Sequence, residues 1–193
     1  MIPISFRLAL CSLACLLVAA CGHMPVTSLV KLARIDFETS DPAQLRAAVK
    51  LPDGLRPLPH GMALRVGVKV GDTPEQARDF ALLEVPDVPE LAAEAGRHAR
   101  IFAYRLDNGE TARLNAFRAE VIALKSKGQH GSISISVRPQ ACKTADLPDG
   151  PIYFTTYLRT AETADYVVLA RDLDLRTLVP GRAIVAEIPP CAS

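Results

Sequence analysis

The sequence predicts a mostly β (α+β) fold: an antiparallel β-sandwich of about eight strands with one long helix over roughly residues 108–127. Three observations predict it. Apolar and polar residues alternate with a period of two along most of the chain, as in Leu64, Val66, Val68 and Val70 against Arg65 and Lys69. Gly, Pro and Asp clusters break the alternating runs at short intervals. One stretch departs from the pattern: Leu114, Phe117, Val121 and Leu124 recur at the 3, 4 and 3 spacing of a helix face. One-sided alternation suits antiparallel sheets that bury a single face.

In chain order, the first strand is expected where Leu29, Ala33, Ile35 and Phe37 share a face that Lys31 interrupts. After Thr39-Ser40-Asp41-Pro42, a second strand sets Leu45, Ala47, Val49 and Leu51 opposite Arg46 and Lys50. Residues 52–61 read as a Pro/Gly loop, and Leu64–Val70 as the cleanest strand, broken by Gly71-Asp72-Thr73-Pro74. Thr73 and Pro74 could open a short helix, but Phe80–Val85 is strand-like, so a turn and then a strand are expected. Pro86 and Pro89 mark a linker, Glu90–Ala95 a helical turn, and Arg100–Leu106 a strand.

Asp107 then caps the long helix, and Glu110 stands where a capping box places its acid. Lys125 and Lys127 suit its last turn, and Gly128 its end. Three strands close the chain. In the first, Ile133, Ile135 and Val137 alternate with Ser132, Ser134 and Ser136. In the second, Ile152, Phe154, Thr156 and Leu158 alternate with Tyr153, Thr155 and Tyr157. The last is Tyr166–Leu178, reached through the turn Thr160–Asp165. Leu-Pro-Asp-Gly occurs at 51–54 and again at 147–150. Plain turn chemistry accounts for both copies, and an internal duplication is the other reading.

The amino terminus carries an address. Residues 1–20 hold one charge, Arg7, followed by the apolar run Leu8–Ala20, a charged n-region and h-region of signal-peptide length. The run is shorter than the roughly 20 apolar residues of a spanning helix. Val18-Ala19-Ala20-Cys21 resembles the lipobox of bacterial lipoproteins: a branched apolar residue, two small residues, then the cysteine whose thiol receives the diacylglycerol. Cys11 and Cys15 fit worse, with Leu10 before one and Ser12 three residues before the other. The alternative is an ordinary secretory signal with Cys21 a free thiol.

The resemblance covers residues 1–22 and implies an export signal over 1–20 and a lipidated tether over 21–28. A single globular β-rich domain over 29–193 follows. Gly22, not Asp, after the cysteine implies the outer membrane, with the domain facing the periplasm.

Composition narrows the partners. Without Arg7, the only charge in the signal, the 22 basic and 21 acidic residues balance to neutrality. That argues against nucleic acid and against an anionic-lipid surface as partners, since both need basic clusters and the chain has none. Of five cysteines, two leave with the signal and Cys21 is acylated, so Cys142 and Cys191 are expected to form one disulfide in an oxidising compartment.

No catalytic constellation stands out, and no metal site or cofactor is expected. His23, His60, His98 and His130 have no ligand spacing. His130-Gly131-Ser132 lacks the strand-to-helix setting of a nucleophile elbow. Asp172 and Asp174 share a strand face with Arg176 but have no third oxygen ligand nearby. The chain has no Trp, and only Tyr153 and Tyr157 look like a partner-binding patch. Burial of that strand on both faces is the competing reading.

The expected function is a non-enzymatic lipid-anchored envelope lipoprotein. In it a structural or adaptor domain docks to an envelope partner through a sheet edge or the Tyr153/Tyr157 strand. The alternatives are a module holding a small amphiphile or lipid between sheet and helix, and an enzyme of unrecognised type.

Overall fold

The structure is a computed structural model that describes residues 25–71, 74–86, 88–125, 131–179 and 183–192. The signal, Cys21, His23, Gly128 and His130 lie outside the described residues. The predicted class holds. Among the described residues eight strands form two antiparallel sheets.

The strands are β1 (Arg46–Pro52), β2 (Leu55–Val70), β3 (Gln76–Ala81), β4 (Leu83–Val85), β5 (Ala99–Arg105), β6 (Gly131–Lys143), β7 (Tyr153–Arg159) and β8 (Val167–Asp174). One sheet runs β4-β5-β1-β7-β8 and the other β3-β2-β6. Helices are α1 (Val26–Leu32), α2 (Ala92–Ala95), α3 (Asn108–Lys125) and α4 (Ile184–Glu187). None is long and apolar enough to cross a membrane.

The main core lies between the sheets and under α3. Val49 and Leu51 of β1, Leu64 and Val66 of β2, Phe154 and Leu158 of β7, and Leu114, Phe117 and Val121 of α3 are all buried in it. The 3, 4, 3 spacing of α3 thus meets the core as predicted. Asp107 Oδ1 accepts the Glu110 N–H at 2.7 Å, so the cap is real. The other half of the capping box is not made: the Glu110 carboxylate accepts the Ala81 N–H at the end of β3 instead.

A second, smaller cluster covers the outer face of the five-stranded sheet. Ala48, Ala103, Tyr157 and Val168 are roofed there by Leu91 from the 3-10 turn Pro89–Leu91. This explains why β1 and β7 are buried on both faces.

Three expectations need correction. Residues 29–37 are not a strand: Val26–Leu32 is helical and turns follow. Ser28, Leu32 and Ile35, spaced 4 and 3, turn inward, while Leu29 points out. Lys31, in the middle of the run, breaks the alternation that a strand would need. Residues 55–61 are not loop but the first half of β2, paired to β6 over Leu55–Pro57.

The prolines there are tolerated because of where their missing N–H groups would point. Pro57 lies beyond the reach of β3, whose pairing starts at Ala63. Residues 58–61 form a bulge between the pairs Pro57↔Ala141 and Met62↔Pro139. A Cβ on Gly61 would stand 2.8 Å from Leu58 Cβ and 3.0 Å from the Gln140 carbonyl oxygen, so the bulge needs glycine. Finally, β8 stops at Asp174, short of Leu178, because Asp174 Oδ1 accepts the N–H groups of Ile152 and Arg176. The short helix α4 beyond it carries no signal the sequence reading used.

The two Leu-Pro-Asp-Gly copies sit at two of the four crossings between the sheets, β1→β2 and β6→β7, one leaving the five-stranded sheet and the other returning to it. The order is reversed between them, which speaks for turn chemistry and against a duplicated unit. They also touch: Gly54, with φ +89°, packs under Leu147. Arg176 donates to the Pro148 and Gly150 carbonyls.

Three carboxylates brace such turns. Asp41 accepts the Ala43 N–H, Glu162 is held by Thr160 and Ser40, and Asp174 accepts the Ile152 N–H. In each case those hydrogen bonds hold the carboxyl below its ordinary range. Such groups bind protons less well folded than unfolded. Their stabilisation is complete above the ordinary carboxylate range and is lost as pH falls through the lowered folded values. The urea midpoint is therefore expected to hold from neutrality to about pH 5 and to decline below about pH 4. A midpoint that rises on acidification would contradict this.

Candidate functional site

The concave feature that stands out is a groove of about 960 Å³ along one side of the sandwich. It exists because five strands face three. The inner faces of β7 and β8 extend past β6, the last strand of the smaller sheet, and among the described residues no strand covers that margin. Ala170 and Leu173 are half-buried there, while Phe154, Thr156 and Leu169 are buried. Phe154 and Thr156 of β7 with Leu169, Ala170 and Leu173 of β8 form the floor. Residues 135–141 of β6 form the wall, and Leu178, Ile184, Ile188 and Pro189 close one end.

The register fixes which way β6 points its backbone. Leu82 N–H donates to Met62 O, so the even residues of β2 in this stretch bond toward β3 and the odd ones toward β6. Their β6 partners are Ser132, Ser134, Ser136 and Arg138. By the two-residue repeat of a strand, the N–H and C=O groups of Ile133, Ile135 and Val137 then face outward, those of Ile135 and Val137 into the groove. Pro139 lies in the same outward row, and an edge is where a strand accepts proline.

This edge can pair, because the chain's own tail already pairs with its end. Lys143 N–H donates to Pro189 O and Cys191 N–H donates to Lys143 O, both at 2.8 Å. A parallel bridge joins Lys143 to Pro190.

The expected disulfide holds that tail. Cys142 and Cys191 are bonded, with Sγ atoms 2.02 Å apart and a sequence separation of 49. It is the one sequence-predicted feature that falls beside the groove.

The tyrosines do not form a patch. Tyr153 is 53% exposed, but Tyr157 is only 2% exposed, in the outer-face cluster, and its hydroxyl donates to Glu94 Oε2 at 3.2 Å. Burial first, and then the Glu94 carboxylate, push the Tyr157 hydroxyl above the ordinary range. Tyr104, 3% exposed, has a buried hydroxyl with no hydrogen-bond partner among the described residues.

A buried hydroxyl without a partner costs about 1–3 kcal/mol in lost hydration, while a made bond returns about 0.5–1.5 kcal/mol. Tyr104→Phe is accordingly expected to be neutral or to stabilise by up to about 1 kcal/mol, and Tyr157→Phe to destabilise by about 1 kcal/mol. Urea denaturation of the pair checks this. A loss at Tyr104 as large as at Tyr157 would refute it.

The remaining polar residues are dispersed. His60 sits exposed in the β2 bulge at φ +57°, and exposed His98 lies 3.7 Å from Asp53. Ser134 Oγ donates to Glu75 at 2.8 Å, which uses that hydroxyl on the outer face. Asp172, at φ +49° where the β7–β8 register shifts, exchanges hydrogen bonds with Thr155. It is a bulge residue, and Asp174 is a strand terminator. Among the described residues no group of three or more His, Cys, Asp or Glu side chains is placed to hold a metal ion.

The space between the sheets and α3, where an amphiphile was one expectation, amounts to about 40 Å³ among Leu64, Val66, Leu114 and Leu158. That is room for a water or two.

Fold and groove together define an antiparallel sandwich with one incomplete layer and a free edge beside the gap. The chain matches no protein-family model, no curated protein and no solved structure.

Proposed function

We propose that the chain is a lipid-anchored cell-envelope lipoprotein, acylated at Cys21, that works as a non-enzymatic adaptor. It takes an extended segment of an envelope protein partner along the free edge of β6. The observation that carries this reading is the vacant strand position itself. It offers three outward N–H and C=O pairs, at Ile133, Ile135 and Val137, the last two beside an apolar floor. An added strand gains main-chain hydrogen bonds from such an edge and side-chain selectivity from the pockets under it.

The anchor is supported by Val18-Ala19-Ala20-Cys21, and Gly22 supports the outer membrane, with the domain facing the periplasm. Charges at the groove are used within the fold: Arg65 and Arg138 both reach Asp79. This favours docking over chemistry. A small amphiphile in the same groove is the second reading, favoured by its apolar floor and its volume of about 960 Å³.

The test is photo-crosslinking in intact envelopes, with a photoreactive residue at Ser136 in the groove wall or at Tyr153 outside it. One protein adduct from Ser136 and none from Tyr153 is expected. Adducts to lipid alone from Ser136 would favour the amphiphile, and the same protein adducts from both positions would overturn groove docking. Palmitate labelling that persists unchanged in Cys21→Ser would remove the anchor.

A further inference from the structure

We infer that α1 lies on the bilayer surface beside the acylated cysteine and sets the orientation of the domain. The inference rests on the reading of Cys21 as the lipidated residue. Its own grounds are in the domain. Helix α1 turns Ser28 inward at 4% exposure and sets Leu32 against the core, while Leu29 and Val30 stand 49% and 59% exposed. Two large apolar side chains side by side in water are the feature of this helix that its packing against β8 does not use.

Chain length names what covers them. Four peptide steps separate Cys21 from Pro25, at most about 14 Å at about 3.3–3.6 Å per residue. The helix adds about 1.5 Å per residue from there to Val30. A cysteine held by its acyl chains therefore keeps this face within reach of the headgroup boundary.

Charge does not oppose the contact: between Cys21 and Ile35 the chain has Lys31 and Arg34 and no acid, and the apolar pair Leu29 and Val30 carries the contact. Lys31 also pairs with Asp165 at 3.3 Å, tying α1 to the start of β8. The surface contact is thus transmitted to the sandwich, and the predicted tether over 21–28 shortens to the residues before α1.

The chain has no Trp, so a single substitution gives a unique probe. Acylated Val30→Trp protein is reconstituted in vesicles of phosphatidylethanolamine with a minority of phosphatidylglycerol, their acyl chains brominated. Its emission is expected to shift to the blue and fall about twofold or more, as for a ring about 5–10 Å into the headgroup and acyl boundary. Tyr153→Trp, at the far end of the β7–β8 pair from Asp165, is the comparison and should keep its emission.

Vesicle flotation is measured on the same samples. Protein that floats with Val30→Trp unquenched, or with both positions quenched alike, overturns the inference and leaves the anchor standing. Protein that does not float overturns the anchor, and this inference with it.

Discussion

Phe117→Ala is expected to lower the stability of the domain by about 3–5 kcal/mol, the range for removing a large buried aromatic. Phe117 is 2% exposed on the inward face of α3. Its ring centroid is 6.2 Å from that of Phe80, and the Arg78 guanidinium lies 4.5 Å over the ring. Arg78 is in turn held by Glu120 at 2.7 Å. The side chain is the largest apolar contact by which the only long helix among the described residues packs on the smaller sheet, and alanine leaves a cavity there. For a domain of this size the midpoint should drop by roughly 6–20 °C. Ile122→Ala, on the same helix but 38% exposed, should cost under about 1 kcal/mol. Thermal and urea denaturation of both variants gives the comparison, and equal losses would mean that α3 is not packed as described.

The double variant Cys142→Ser, Cys191→Ser is expected to lose about 4 kcal/mol on the chain-entropy account of a crosslink that joins residues 49 apart. Its second consequence is local. The tail pairs with the β6 edge only around Lys143, too little to hold an extended segment once the crosslink is gone. Residues 183–192 should then become the first site of proteolysis, and the free edge should lengthen toward Lys143. Denaturation without reductant and limited proteolysis of the oxidised and variant proteins measure the two effects. A variant with wild-type stability and an intact tail would show that Val185 and Ile188, packed against the core, suffice alone.

What could be read from the sequence was what local periodicity dictates. Leu64 to Val70 alternate because β2 buries one face there, and Leu114 to Leu124 keep helical spacing because α3 does. The disulfide followed from counting cysteines. Residues 55–61 misled because Pro57, Pro59 and Gly61 look the same in a loop and in a bulged strand. Only the position of β3 shows that Pro57 needs no donor. Leu29 to Phe37 misled because a short helix packed edge-on and a strand bury similar subsets of so few residues.

The groove could not be read at all. Ile135, Val137, Leu169 and Leu173 carry the pattern of any core-facing strand, and that they line a groove depends on strand order, five against three. Nor could Tyr153 and Tyr157 be told apart. They share a strand parity, and what separates them is the chance that Leu91 roofs one and nothing roofs the other.

Amide hydrogen exchange along β6, followed by NMR on the purified mature protein, bears most directly on the vacant strand position. The account predicts an alternation: slow exchange at Ser132, Ser134, Ser136 and Arg138, whose N–H groups bond to β2, and fast exchange at Ile133, Ile135 and Val137. Uniform protection along the strand would mean that this edge is already covered and has no place for a partner.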